Sequence, residues 1–325
     1  MKNVTVIGKL HQAGLDILLR HGGLEVSEFS DPAVPIPADK IIDADALLVR
    51  TGHLTEDDIR ASTRLKVVSR HGVGCDNLPV EALSARGIPV AIVGPVNAVS
   101  VAEHTFAMLM ALSKQIAAYD RAVRGGNWEH RNSLAACEIS GKTLLLLGLG
   151  RIGSEVAKRA LAFGMKTLVY DPFQSAEAIR KAGATKVSDW VAVLGAVDVV
   201  SLHLPLSDAT RYLIDATVLA AMKPDAIVLN AARGGLVDER ALYLALSGRM
   251  AAGGAGLDVF EREPPAADNP LLTLDNVVLS PHSAALTEQS ARTMGEVAAR
   301  NVIAGLEGRL DPELVYNRKA LERED

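Results

Sequence analysis

A glycine-rich hexapeptide, Gly148-Leu149-Gly150-Arg151-Ile152-Gly153, lies between a predicted buried strand and a predicted helix. The strand pattern, residues 143–147, precedes it directly, and the helical pattern of residues 154–163 follows directly. Glycines at these spacings allow a tight turn, a close approach of backbone to a pyrophosphate, and close packing of helix on strand. The helix N-terminus then stabilises the phosphate charge. The motif therefore predicts a Rossmann-type dinucleotide site.

An acidic residue, Asp171, ends the next predicted strand, residues 166–170. A carboxylate at this position accepts hydrogen bonds from the hydroxyls of the adenine ribose. It would repel the additional phosphate of NADP, and no arginine follows at once, since residues 172–174 are Pro, Phe and Gln. The sequence therefore predicts that NAD is favoured over NADP as the cofactor.

The hexapeptide belongs to the second of two series of alternating strand and helix patterns, which are typical of parallel α/β sheets. The first series covers residues 1–98, with strands predicted at 4–7, 24–29, 46–49, 65–69 and 89–93. The second has six buried strand patterns, at 143–147, 166–170, 197–202, 226–230, 254–258 and 277–280. Six such strands suit a complete doubly wound sheet.

Two helical patterns flank the second series. Between the series, Ser100-x-x-Glu103 is typical of a capping box and predicts one long apolar helix over residues 100–124. After the last strand, residues 287–306 form another helical pattern with no new strand series behind it. We expect this last helix to pack back on the first domain.

Composition is that of a folded protein of about two domains. Of 325 residues, 49% are hydrophobic and 22% are charged, and the formal net charge is -5. These values exclude wholesale disorder and a general polyanion binder, so nucleic acid is not an expected partner.

The start of the chain alternates like a strand, and no run of 18 apolar residues occurs, so no signal peptide and no membrane span are expected. Cys75 and Cys137 form no CxxC motif, which predicts neither a disulfide framework nor a thiolate metal site and fits a cytoplasmic protein.

Three polar residues, Arg233, Glu263 and His282, follow predicted strands of the second series, on the face where open α/β sheets bind ligands. An imidazole is suited to accept the hydroxyl proton when a hydride leaves a carbinol, and a carboxylate would hold it and stabilise its protonated form. An arginine fork recognises a carboxylate in a bidentate manner. Each residue alone is weak evidence. Together, beside a dinucleotide motif, they predict hydride transfer from a carbinol and, if the substrate is an acid, recognition of its carboxylate by Arg233.

The chain resembles the D-isomer-specific 2-hydroxyacid dehydrogenase family, in a phosphoglycerate dehydrogenase-like arrangement without a regulatory domain. The matching segments extend over nearly the whole length: 71–77, 97–103, the hexapeptide with Asp171, 203–205, 230–238, 256–264 and 280–285. The resemblance implies an α/β fold of two lobes, with a Rossmann NAD-binding domain inserted in a flavodoxin-like substrate domain and the active site in the cleft. The Rossmann domain is expected at residues 99–286, and the substrate domain at 1–98 plus 287–325.

The resemblance also assigns site residues. The catalytic residues are expected to be Arg233, Glu263 and His282, with His203 as a rival proton acceptor to His282. Substrate contacts are expected at Arg50, His71, Val73, Gly74 and Arg233, where the amides around Val73 and Gly74 would hold the substrate carboxylate. The expected cofactor contacts, among which Asp258 would meet the carboxamide side of nicotinamide, are Val73, Gly148, Gly150, Arg151, Ile152, Gly153, Asp171, His203, Leu204, Pro205, Ala231, Ala232, Arg233, Asp258, His282 and Ala284.

The sequence leaves three questions open: which acid is the substrate, whether the protein is a homodimer, and whether it is an enzyme or a binding protein. In phosphoglycerate dehydrogenases a loop after the third strand usually supplies cationic residues for the substrate phosphate, but Arg50-Thr51-Gly52-His53-Leu54 is shorter and keeps one arginine. The sequence therefore leaves 3-phosphoglycerate, hydroxypyruvate, glyoxylate or another small 2-oxo acid open.

The resemblance implies a homodimer formed through residues 100–124, whereas the apolar positions there, among them Phe106, Met108, Leu109 and Leu112, could equally be core. The alternative function is an NAD(H)-binding scaffold without turnover.

Overall fold

The computed structural model describes residues 1–30 and 36–322, and the chain divides into two units. Unit 1 comprises Met1–Asn97 and Leu286–Asp325, and unit 2 comprises Ala98–Ala285. The predicted domain boundaries lie one residue from this division. Residues 31–35 and 323–325, which the predicted substrate domain contains, lie outside the described residues.

The strands and helices follow one another in regular alternation. The strands are β1 (Lys2–Ile7), β2 (Leu24–Phe29), β3 (Ala46–Val49), β4 (Val67–Arg70), β5 (Val90–Ala91), β6 (Thr143–Leu147), β7 (Lys166–Tyr170), β8 (Thr185–Lys186), β9 (Val199–Leu202), β10 (Ile227–Asn230), β11 (Gly254–Leu257) and β12 (Val277–Leu279). The helices are α1 (Gln12–Arg20), α2 (Ala38–Ile42), α3 (Glu56–Ala61), α4 (Val80–Ala85), α5 (Ala98–Ser113), α6 (Ile116–Arg124), α7 (Arg151–Ala162), α8 (Ala176–Lys181), α9 (Ala216–Ala221), α10 (Glu239–Leu246), α11 (Glu288–Leu306) and α12 (Arg318–Leu321).

Unit 1 contains a parallel sheet in the order β2-β1-β3-β4-β5, which is the flavodoxin-like order. The central strand β3 is buried at every position, as its continuous apolar sequence requires in a sheet covered on both faces. The last strand is shorter than the predicted 89–93. After Ala91 the chain leaves β4, because the Ile92 amide bonds the Leu314 carbonyl and the Val93 amide bonds the Gly72 carbonyl.

Helix α11 packs against α1 and β4 within unit 1. A Cβ placed on Gly14 of α1 would lie 2.6 Å from the Gly295 carbonyl oxygen of α11, so the two backbones meet closely. The Ser69 hydroxyl of β4 donates to the Ala298 carbonyl of α11 at 2.9 Å. The chain thus returns to its first sheet after unit 2, as the pattern of residues 287–306 led us to expect.

Unit 2 contains a parallel sheet in the order β12-β11-β10-β9-β6-β7-β8. This is the doubly wound Rossmann order extended by one strand, with the change of direction between β6 and β9. The prediction of six strands omitted β8, because its two exposed residues carry no buried pattern. Two parallel sheets with helices confirm the expected α/β class.

The prediction of one helix over residues 100–124 was wrong. The structure has two helices, α5 and α6, and Gln115 between them adopts a left-handed conformation with φ of 52°, which ends the first helical path. The predicted capping box was also wrong, because α5 begins at Ala98 and Ser100 lies buried inside it. The Glu103 carboxylate instead pairs with Arg159 of α7 at 3.1 Å.

The apolar residues of α5 belong to the core of unit 2. Phe106, Met108, Leu109 and Leu112 are buried, and they pack with leucines of β6 and with Val156 of α7. Of the two interpretations that the sequence left open for these positions, the structure therefore supports the core. In the part of the chain that the structure describes, no helix combines the length and apolar character that a membrane crossing requires.

Candidate active site

The glycine loop joins β6 to α7, and each glycine has a distinct environment. Gly148 has a φ of +98°, and a Cβ there would lie 2.4 Å from the His203 carbonyl oxygen. A Cβ on Gly153 would lie 2.3 Å from the Gly148 carbonyl oxygen, which shows how closely α7 approaches the loop. No described residue comes within 4 Å of a Cβ on Gly150, the N-cap of α7. This open space at a helix N-terminus fits a dinucleotide pyrophosphate.

Asp171 follows β7 and is held by two backbone amides. Its Oδ2 accepts from the Leu149 amide at 2.8 Å, inside the glycine loop, and its Oδ1 accepts from the Phe173 amide at 2.8 Å. Each carboxylate oxygen has two lone pairs, so each keeps one for a ribose hydroxyl. The geometry fits the predicted role of Asp171 and fixes the carboxylate beside the loop.

The remaining predicted cofactor residues of unit 2 follow neighbouring strands. The segment 203–205 follows β9, the pair Ala231 and Ala232 follows β10, and Asp258 follows β11. Since parallel strands end at the same edge of a sheet, these segments share the edge that carries the glycine loop. Val73, the other predicted cofactor contact, belongs to unit 1.

Asp258 organises the turn that carries His282. Its carboxylate is 1% exposed and accepts from the Ser280 hydroxyl at 2.7 Å and from the amides of Ser283 and Ala284 at 2.8 and 2.9 Å. Its own carbonyl accepts from the His282 amide at 2.7 Å. These bonds hold His282 at a φ of 50°, a left-handed conformation that a residue other than glycine keeps only when its surroundings impose it.

Ser280 also contacts a second histidine, His104 of α5, whose Nε2 lies 2.7 Å from the Ser280 hydroxyl oxygen. Because the Ser280 hydroxyl donates to Asp258, the His104 Nε2 must be the donor in this bond. No local sequence pattern predicts this link, since α5 and β12 are far apart along the chain. The hydrogen-bond chain fixes the tautomer of His104 and supports Asp258.

His282 and Glu263 form a hydrogen-bonded pair in which Nδ1 lies 2.7 Å from Oε2. The other carboxylate oxygen of Glu263 accepts from the Phe260 amide at 3.1 Å. Burial acts to raise the pKa of Glu263, but the hydrogen bond and charge of His282, the Phe260 amide and the charge of Arg233 together hold it below its ordinary value. No described residue bonds the His282 Nε2, so this nitrogen can exchange a proton with a substrate.

Arg233 is positioned by a loop with little freedom. Asn230, a buried residue at the end of β10, donates to the Arg233 carbonyl at 2.8 Å and accepts from the Ala232 amide at 3.0 Å. The next residue, Gly234, lies so near the following loop that a Cβ would be 1.9 Å from the Phe260 carbonyl carbon and oxygen. The loop of Arg233 and the loop of Glu263 are therefore in contact, and the structure brings Arg233, Glu263 and His282 together.

His203, the rival proton acceptor, lies in a different environment. Its Nε2 is 2.8 Å from the hydroxyl of the buried Ser201, and burial lowers the pKa of His203 to about 4. Its ring is therefore neutral near pH 7, and no described carboxylate is hydrogen-bonded to it. Within residues 1–30 and 36–322, no group of three His, Cys, Asp or Glu side chains is arranged to hold a metal ion.

The predicted substrate residues of unit 1 follow β3 and β4. The Arg50 guanidinium donates to the Lys9 carbonyl, and burial lowers the pKa of Arg50. His71 is only 5% exposed, and burial, aided by the charge of Arg50, lowers its pKa to about 4. His71 is therefore a neutral, buried side chain near pH 7. Val73, in contrast, is exposed on the loop that follows.

Comparison with known proteins agrees with this geometry. Residues 106–284 match the family model described as "D-isomer specific 2-hydroxyacid dehydrogenase, NAD binding domain". The chain belongs to the D-isomer specific 2-hydroxyacid dehydrogenase family. The family model assigns NAD binding to unit 2, in agreement with the glycine loop and Asp171.

Three relatives illustrate the range of the family. The chain is 41% identical to a D-3-phosphoglycerate dehydrogenase of Methanocaldococcus jannaschii over 97% of its own length and 59% of that protein. It is 37% identical to a glyoxylate reductase of Korarchaeum cryptofilum over 96% of its own length and 95% of that protein. A D-lactate dehydrogenase of Aquifex aeolicus, solved with NAD and lactic acid, superposes with a TM-score of 0.84 at 31% identity, over 94% of this chain and 97% of that one. The chain thus spans less than two thirds of the phosphoglycerate dehydrogenase that it matches.

Proposed function

We propose that this protein is an NAD-dependent D-2-hydroxyacid dehydrogenase that interconverts a small 2-hydroxy acid and the corresponding 2-oxo acid. The observation that carries the proposal is the His282–Glu263 pair, with its 2.7 Å hydrogen bond, beside Arg233 in the unit that also holds the glycine loop. A surface ion pair would not require the buried Asp258 and Asn230 to shape the loops around it. Membership of the family supports the same reaction class.

Each side chain has a role that follows from its position. The glycine loop and Asp171 would hold NAD, which would supply the acceptor for the hydride of C2 of the hydroxy acid. His282 removes the hydroxyl proton through Nε2 and returns it in the opposite direction, while Glu263 stabilises the protonated ring through Nδ1. Arg233 binds the substrate carboxylate through its planar guanidinium. In unit 1, the amides of Val73 and Gly74 offer further donors to a carboxylate.

The identity of the substrate depends on unit 1. The loop after β3 keeps one arginine, Arg50, whose guanidinium is partly engaged by the Lys9 carbonyl. A phosphate group is best held by several cationic donors. This favours hydroxypyruvate or glyoxylate over a phosphorylated acid, although several relatives are D-3-phosphoglycerate dehydrogenases.

The test is NADH oxidation by the purified protein with glyoxylate, hydroxypyruvate, pyruvate and 3-phosphohydroxypyruvate, each repeated with NADPH. We expect turnover with at least one acid, faster with NADH than with NADPH, and its loss in His282→Asn. His203→Asn is the matched control and should keep most of the turnover, because His203 is not paired with a carboxylate. Complete inertness together with tight NADH binding would support the scaffold function instead.

We also propose a homodimer formed through the surface of α6 and the segment after it. None of the residues of α6 is buried, and Ile116, Val123, Trp128 and Leu134 are all exposed. Ile116 and Val123 lie seven residues apart on one face of α6, and exposed apolar residues that share a face are typical of an interface. Sedimentation at micromolar concentration should give a dimer, and Val123→Glu should give a monomer that still binds NADH, whereas a monomeric wild type would end this proposal.

A cytoplasmic location completes the proposal. Neither Cys75 nor Cys137 forms a disulfide with a described residue, and Cys137 is exposed. Exposed free thiols persist in a reducing compartment. Fractionation of the source cells, with activity followed as NADH oxidation, tests this location, and activity confined to an extracytoplasmic fraction would contradict it.

A further inference from the structure

The loop between β4 and Cys75 presents two neighbouring backbone amides with no acceptor. Among residues 1–30 and 36–322, none accepts a hydrogen bond from the amide of Val73 or from that of Gly74. Val73 is 36% exposed and Gly74 is partly exposed, so this segment lies at the surface of unit 1. Consecutive amides directed outward form a concave site that favours an anion of carboxylate size.

The side chain of Arg70 holds the backbone on both sides of these amides. Its Nε donates to the Gly74 carbonyl at 2.9 Å, and its Nη1 lies 2.9 Å from the His71 carbonyl. The same Nη1 is 2.8 Å from the Arg50 carbonyl and 3.2 Å from the Val49 carbonyl. One guanidinium thus ties the end of β3 to both ends of the loop.

These contacts restrain the backbone on both sides of the two amides. In a trans peptide the carbonyl and the amide hydrogen lie on opposite sides. The Gly72 carbonyl accepts from the Val93 amide at 3.1 Å, which turns the Val73 amide the other way. Arg70 donates to the carbonyls of His71 and Gly74, which restrains peptides 71–72 and 74–75 on either side of the two amides. Gly72, with a φ of +149°, supplies the backbone conformation that this path needs.

We propose that Arg70 is a positioning residue, which orients the Val73 and Gly74 amides to bind the carboxylate of the substrate. The inference rests on the proposed function in naming the substrate, but the orientation itself belongs to unit 1 alone. Arg70 acts here through backbone carbonyls and not through its charge on the substrate. A lysine could serve only part of this set, because its ammonium is a point donor without the rigid fork.

The binding test uses oxalate, a stable mimic of a 2-oxo acid, titrated calorimetrically into the protein saturated with NADH. The variants are Arg70→Ala and Arg70→Lys, and the matched control is Arg60→Ala, which removes an exposed arginine of α3. Loss of one aligned hydrogen bond to a charged group lowers the affinity by about tenfold. We expect oxalate binding to weaken by about tenfold or more in Arg70→Ala, by less in Arg70→Lys, and not at all in Arg60→Ala.

Further measurements distinguish a role of Arg70 in positioning the two amides from direct contact with the substrate. NADH affinity and the melting temperature of Arg70→Lys should stay near those of the wild type, and added guanidinium chloride at low concentration should partly restore oxalate binding to Arg70→Ala. In the protein without oxalate, the amide NMR signals of Val73 and Gly74 should shift in Arg70→Lys. If Arg70 acted only by touching the substrate, these signals would stay in place.

The outcomes are distinct. Unchanged oxalate binding in a folded Arg70→Ala, or in Arg70→Lys if the alanine variant does not fold, overturns the role of Arg70. Unshifted Val73 and Gly74 signals overturn it as well. If the wild type binds oxalate in an Arg70-dependent manner but oxidises NADH with none of the 2-oxo acids, the proposed function fails and the role of Arg70 stands.

Discussion

His71 makes the free energy of unfolding of unit 1 depend on pH. The ring is 5% exposed, and burial, followed by the charge of Arg50, lowers its pKa from 6.5 to about 4. The unfolded chain therefore binds a proton at His71 more readily than the folded chain between these two pH values. Consequently its contribution to the free energy of unfolding is fully present above pH 6.5 and is lost as the pH falls toward 4.

The size of the effect follows from the two pKa values. Proton linkage with a folded pKa of about 4 gives a loss of about 2 kcal/mol between pH 7 and pH 5. His203 acts in the same direction in unit 2, because burial lowers its pKa to about 4 as well. A single wild-type curve therefore combines both histidines, and only a variant isolates His71.

The assay is urea unfolding at pH 7 and at pH 5 for the wild type, His71→Gln and His53→Gln. His53 is an exposed histidine of the same unit and serves as the matched control. Although His71→Gln is less stable at pH 7 through lost packing, its additional loss at pH 5 should be smaller than that of the wild type by about 2 kcal/mol. His53→Gln should follow the wild type. Equal pH dependence in His71→Gln and the wild type would refute the reasoning.

Three substitutions in unit 2 test the geometry of the site. Glu263→Gln should move the pH profile of 2-oxo acid reduction to lower pH, because the protonated form of His282 loses its carboxylate partner, and an unmoved profile removes Glu263 from the mechanism. Arg233→Lys should raise the KM of the 2-oxo acid by about tenfold or more while the KM of NADH stays constant, since an ammonium cannot reproduce the fork; an unchanged KM counts against carboxylate binding there. Gly234→Ala places a Cβ 1.9 Å from the Phe260 backbone, so kcat/KM should fall and thermal unfolding should show a loss of about 1–3 kcal/mol, whereas wild-type behaviour would show that the two loops can separate freely.

Periodicity predicted the strands of both sheets because the interior strands are buried on both faces. The leucines of β6 and the residues of β3 are apolar at consecutive positions, which a parallel sheet requires. The same signal fails at the edges. Strand β8 is two exposed residues long and forms because the backbone of β7 is available to it, which no side-chain pattern records.

The helix of residues 100–124 shows a second limit. Apolar residues continue through the region, so periodicity alone gives no reason for a break. The break at Gln115 is a left-handed residue, and glutamine carries no local preference for that conformation. Ser100 and Glu103 match a capping box in sequence, but tertiary packing buries Ser100 inside α5 and pairs Glu103 with Arg159.

Some residues of the candidate site could likewise be predicted from the sequence, and others could not. Residues that carry chemistry, such as Arg233, Glu263 and His282, could be singled out because each follows a strand. Residues that position backbone groups around the predicted site residues could not be singled out. Asn230 and Arg70 act on backbone carbonyls and amides brought near by folding, and nothing in their local sequence distinguishes them from ordinary polar residues at a strand end.

The discontinuity of unit 1 bears on how the chain is made. All of unit 2 is contiguous, from Ala98 to Ala285, whereas unit 1 needs both flanking stretches. The ribosome therefore synthesises the complete sheet of unit 2 before it reaches α11. Until then β4 lacks the helix that contacts Ser69, and Gly14 of α1 lacks the backbone against which it packs. Synthesis of unit 2 is thus complete at a stage when unit 1, whose first part was made earlier, still lacks its final long helix α11.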